Sequence, residues 1–117
     1  ERNSIGEPII EQLVRLGLPI ARGEDGQSGF MTTASSKPPL IENLVLTFER
    51  EEWRFQQDAI WTAELEAYER TISQTTGRSQ YGAPEGMHDD TVIARALMVW
   101  AGRNTQTLTA ARNPFYR

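Results

Sequence analysis

Asp89 and Asp90 stand side by side ahead of an apolar run, and His88, the only histidine of the chain, precedes them. Around them, Gly86-Met87-His88-Asp89-Asp90-Thr91-Val92-Ile93-Ala94 takes a loop into a helix. Hard cations such as Mg2+ prefer carboxylate oxygens and keep several waters. Two such ions can hold the attacking and leaving oxygens of a phosphodiester in line, which needs carboxylates from different elements to converge. A helix start can donate one of them. Aspartate also belongs there for a plainer reason: it accepts from free N–H groups and answers the helix dipole. One acid suffices for that role, and this chain has two. His88 suits acid–base work, a phosphate contact or a metal, and equally a polar loop. A third carboxylate, Glu1, opens the chain in Glu1-Arg2-Asn3-Ser4-Ile5-Gly6. Lys37, the only lysine, stands before a helix, where it can meet a phosphate or only water.

The elements that must position these residues can be read from spacing. Residues 4–16 have a helical period, with Ile9, Ile10, Leu13 and Val14 on one face. Ser4 and Glu7 make a capping box, and Gly17 is the expected stop. Leu18 to Ala21, Phe30 to Thr33 and Trp53 to Phe55 read as short extended pieces, with loop chemistry at 23–29 between the first two. A second helix begins near Ser36 with Pro38 and Pro39 in its first turn, burying Leu40, Ile41, Leu44, Val45 and Phe48. Asp58 should cap a third, with Trp61, Leu65 and Tyr68 sharing a face. Residues 70–82 read as a flexible hairpin. The last helix, roughly Asp89 to Ala101, is apolar nearly all round, with Arg95 its only charge after the first turn, so several sides should be buried. Trp61 and Trp100 fit such faces; Trp53 is freer to pack or to stack on a base. Residues 105–117 show no period and should form an irregular tail.

Bulk composition narrows the class. A chain of 117 residues, 38% hydrophobic and 24% charged, is ordinary for one soluble domain at most. No apolar run is long enough to span a bilayer. The start lacks signal-peptide order and an initiator methionine, so a fragment is expected. With no cysteine there is no disulfide, thiolate metal site or thiol nucleophile, which fits a reducing cytoplasm. The net charge of −4 argues against gripping nucleic acid by bulk charge, though not against holding it locally. Eleven of the 12 basic residues are arginine, as codon bias alone would give, and as phosphate contacts favour. No phosphate-loop, HExxH or zinc-finger spacing is present.

The ordered series is more specific than any part of it. Glu1-x-Asn3-x-x-Gly6 opens a helix, Phe30-x-Thr32-Thr33 follows with Lys37, and Glu64-Leu65 lies in a mid-chain helix. Then comes Tyr81-x-Ala83-Pro84-x-Gly86-x-His88-Asp89-Asp90-x-Val92-x-Ala94. Up to about Gly102 this resembles the nuclease domain of tailed-phage terminase large subunits. The resemblance implies an α/β, ribonuclease H-like fold, of which residues 1–104 are the helix-rich second half with a few short strands. It implies a metal-dependent endonuclease that cuts concatemeric viral double-stranded DNA during packaging in the host cytoplasm, with Mg2+ or Mn2+ in a two-metal site. Glu1 matches the second catalytic acid and Asp90 the third, with Asp89 and His88 beside the metals. The family's first catalytic Asp lies on an upstream strand and has no counterpart here, so this piece alone should be inactive. Its partners would be DNA, the terminase small subunit and the portal, and its uncovered helices invite self-association. A non-catalytic module docking on a portal or motor domain, and a resolvase-like nuclease, are the alternative readings.

Overall fold

A computed structural model describes residues 1–104, which form four helices and one two-stranded antiparallel sheet. The elements are α1 (Gly6–Arg15), α2 (Lys37–Glu49), α3 (Ala59–Ala67), β1 (Glu69–Ile72), β2 (Ser79–Gly82) and α4 (Asp90–Asn104). The expected tail lies outside the described residues. Among the described residues no helix is long and apolar enough to cross a membrane.

The core belongs to α2, α3 and α4. Leu40, Ile41 and Leu44 on α2 close on Trp61 of α3 and on Val92, Ala96 and Val99 of α4. The periodicity of α4 explains its central place: Val92, Ala96 and Val99 make a stripe of successive turns that is wholly buried, while Ile93, Leu97 and Trp100 flank it. Helices α2 and α4 run in the same direction. Lys37 meets Asp89 at their starts, and Arg103 donates to the Thr47 hydroxyl at 2.8 Å near their ends. Thr47 therefore takes a buried place in α2, whereas Val45, expected inside, is 46% exposed. At that far end Trp53 lies so close to α4 that a Cβ on Gly102 would fall 2.7 Å from its ring.

Several local expectations hold. Asp58 Oδ1 accepts from the Trp61 N–H at 2.7 Å and caps α3. Pro38 and Pro39 occupy the first turn of α2, and β1 and β2 pair with Arg70 opposite Tyr81. Gly17, at φ +77°, ends α1, with its N–H on Val14 O and that of Leu18 on Leu13 O, the Schellman pattern.

Others do not hold. Ser4 makes no cap; it sits at φ +50°, and α1 begins two residues later behind Ile5 without a side-chain cap. Leu18 to Ala21, Phe30 to Thr33 and Trp53 to Phe55 are not strands. Each lacks a neighbouring strand, and an extended segment becomes sheet only when its backbone groups find one. Isolated bridges join Arg22 to Ser28 and Gly29 instead, and Trp53 and Phe55 serve by packing.

Candidate functional site

Glu1 reaches its place through its neighbours. The Arg2 N–H donates to Phe30 O at 2.6 Å. The amide of Asn3 then brackets Thr32: its Nδ2 donates to Thr32 O and its Oδ1 accepts from Thr32 N–H, both at 2.8 Å. One side chain thus satisfies both backbone polar groups of a residue 29 positions away, and fastens the start of the chain alongside residues 30–32. The Arg2 side chain, 7% exposed, turns the other way onto Asp25 Oδ2 and Gln27 Oε1, each at 2.5 Å. Gly6 completes the device, because any Cβ there would collide with the carbonyl of Glu1. The spacing Glu1-x-Asn3-x-x-Gly6 is therefore a positioning unit with a physical reason at each member.

The acid pair arrives from α4. Asp89 precedes the helix and Asp90 is its first residue. Neither is spent on capping. The Thr91 N–H donates to Glu64 Oε2 of α3 at 2.7 Å, and the Thr91 hydroxyl donates to the same oxygen. These bonds, Thr91 foremost, hold the Glu64 carboxyl below its usual range, helped at a distance by His88. Glu64 enters the sequence reading only as a member of the ordered motif series; its service to α4 from another helix is not readable from its own neighbours.

Asp89 Oδ2 accepts from Lys37 Nζ at 3.3 Å, with both side chains about three-quarters buried. Among the described residues the Asp90 and Glu1 carboxylates take no hydrogen bond or ion pair, and both residues are exposed. Glu1, Thr32, Lys37, Asp89 and Asp90 line one open depression of about 310 Å3, walled along α4 by Ile93, Ala94 and Leu97. Residues separated by 88 positions thus face one space. His88 stays outside it, exposed on the loop. The starts of α2 and α4 both lie at this depression, where Lys37 and Asp90 are their first residues.

Tyr68 adds an unusual group behind Asp89. Its hydroxyl is buried without a partner, and burial first, then the charge of Asp89, pushes its ionisation well above the ordinary tyrosine range. Tyr81 donates to Glu42 Oε1 at 3.3 Å and is pushed the same way, chiefly by burial.

The donor set suits a hard divalent cation in kind, being carboxylate oxygen throughout. It is not closed: among the described residues no group of three or more His, Cys, Asp or Glu side chains converges to hold a metal ion. Comparison with family models, with characterised proteins and with solved structures gave no match.

Proposed function

We propose that this chain is the C-terminal part of a ribonuclease H-like, metal-dependent endonuclease of the terminase type, cutting concatemeric viral double-stranded DNA. The single observation that supports this reading is the meeting of Glu1, Asp89, Asp90 and Lys37 around one depression. It gains weight from Glu64, which takes over the capping duty and leaves neither acid engaged by the start of α4.

In this reading Glu1 and Asp90, uncommitted to other bonds, hold Mg2+ or Mn2+, and Asp89 joins them by exchanging Lys37 for the ion. The ion would supply charge against the scissile phosphate and lower the pKa of an attacking water. Lys37, released from Asp89, places its ammonium against a non-bridging phosphate oxygen. Ile93, Ala94 and Leu97 give the depression a dry wall on which those charges act more strongly. A further carboxylate from the parent protein is required to complete the site, consistent with the open donor set.

The test is Mn2+-dependent cleavage of plasmid DNA by the parent, alongside calorimetric Mn2+ titration. Asp90→Ala should abolish cleavage and weaken Mn2+ binding. Cleavage by Asp90→Ala at the wild-type rate in both Mg2+ and Mn2+ would end the proposal.

A second reading, a module that docks on a portal or motor domain, is favoured by α1. Its Ile9 and Val14, with Leu16 and Leu18 beyond, are all about half exposed or more. Mn2+ binding indifferent to Glu1 and Asp90 would favour that module.

A further inference from the structure

The hairpin carries excess positive charge: beyond Glu69 at the foot of β1 it holds two arginines and no acid. Residues 70–84 contain Arg70 and Arg78 and no acid, in a chain with 16 acidic residues. Among the described residues neither arginine has a carboxylate partner. Arg70 Nε and Nη2 donate to the Ser79 hydroxyl at 2.9 and 2.8 Å, which holds the guanidinium over the strand pair. The turn is closed by its own bonds: Ser73 N–H to Arg78 O at 2.9 Å, and Gly77 N–H to Ser73 O at 2.8 Å. Ser73, Gln74, Thr75, Thr76 and Gln80 supply polar donors along it.

Its root lies at the end of the molecule that carries the depression. Tyr81 is tied to Glu42 on the second turn of α2, whose first residue is Lys37. Tyr68, one residue before β1, feels the charge of Asp89. From the Tyr81 anchor, at roughly 3.4 Å per residue plus the turn, the arm extends about 15 Å. A DNA duplex carries one phosphate charge per roughly 1.7 Å of axis, so an arm of that reach runs beside several phosphates.

We propose that the β1–β2 hairpin is a duplex-binding arm: Arg70 and Arg78 contact backbone phosphates flanking the phosphate presented to the Glu1–Asp89–Asp90 depression. The inference takes its partner from the phosphodiester reading above. It reconciles a net negative protein with a polyanionic substrate, since cations without a carboxylate partner stand on an arm beside the acids. Phosphate contacts of this kind position the duplex without reading its sequence.

The test is fluorescence anisotropy of a short labelled duplex titrated with the protein in EDTA, between about 50 and 200 mM salt. Because no cleavage occurs in EDTA, failure here is distinct from failure of the nuclease assay. Arg70→Ala/Arg78→Ala should weaken binding at least about tenfold and flatten the slope of log K against log salt by about two, each lost phosphate contact removing roughly 0.9. Arg70→Lys/Arg78→Lys should keep most of the affinity, which separates lost charge from a damaged hairpin. Arg54→Ala, which removes one positive charge beside Trp53 at the opposite end, should leave affinity and slope as they are, whereas either arm arginine replaced alone should flatten the slope by about one. The proposal is overturned if the wild type does not bind, if Arg54→Ala costs as much as the arm variant, or if polyglutamate displaces the duplex at equal charge.

Discussion

Helices α1 and α4 form an instructive pair. The first has the cleaner one-sided pattern and buries no residue, whereas the second is apolar nearly all round and supplies Val92, Ala96 and Val99 to the core. A one-sided pattern states that a face needs cover, but it does not supply the cover. For α1 the described contact is slight: Ile10 reaches Gly29, where a Cβ would come 2.5 Å from its Cδ1. For α4, packing comes from two helices that share its faces. Stability and site geometry therefore reside in different parts of the chain, α4 carrying both and the N-terminal segment only the second.

The sharpest way to break this contrast is Val99→Asp. A carboxylate in that fully buried position should cost at least about 4 kcal/mol and leave the chain unfolded in a urea titration. Next comes Trp61→Ala, which removes the ring that α2 and α4 close upon and on which Arg95 stacks at 4.1 Å; about 3–5 kcal/mol should be lost, read from the same titration. Gly17→Ala, by straining a residue at φ +77°, should cost about 1 kcal/mol and loosen only α1, visible in amide exchange at Leu13 to Leu18. The smallest effect belongs to Ile9→Glu on the open face. It should stay within about 0.5 kcal/mol while reducing any self-association measured by sedimentation. An equal loss of stability from Ile9→Glu and Val99→Asp would erase the distinction.

Acid should act on both regions through similar groups. Asp58 is held below its ordinary 3.8 mainly by the Trp61 N–H, and Asp25 below the same value mainly by Arg2. A carboxyl with a depressed folded pKa binds its proton more readily when unfolded, so its stabilisation is present above about 4 and disappears as pH falls through the folded value. Melting midpoints should drop below pH 4. In Asp58→Asn that drop should be shallower, and Asp25→Asn should leave the core transition steep.

Where local chemistry decided the outcome, the sequence was readable. Asp58 capping α3, the prolines of α2, the hairpin between Arg70 and Gly82 and the stop at Gly17 are set by residues within a few positions. The extended pieces at 18–21, 30–33 and 53–55 were misread because β-branched and aromatic composition is shared by strands and by packed coil. Ser4 failed as a cap because the chain turns there to bring Glu1 under Gly6. The gathering of Glu1, Lys37, Asp89 and Asp90 was legible only through the order of motifs, not through any local spacing. Glu64 belonged to that series, but its capping role was not legible because its partner, Thr91, is 27 residues away.

The bracket between Asn3 and Thr32 makes the N-terminal placement depend on one amide. Hydrolysis of the Asn3 amide, with water added and ammonia released, would replace its donating nitrogen by a carboxylate oxygen set against the Thr32 carbonyl. Two acceptors would then face each other with no proton between them, and the first residues would part from the segment beneath. Conversion of that one side chain should thus release Glu1 while the helical core stays intact.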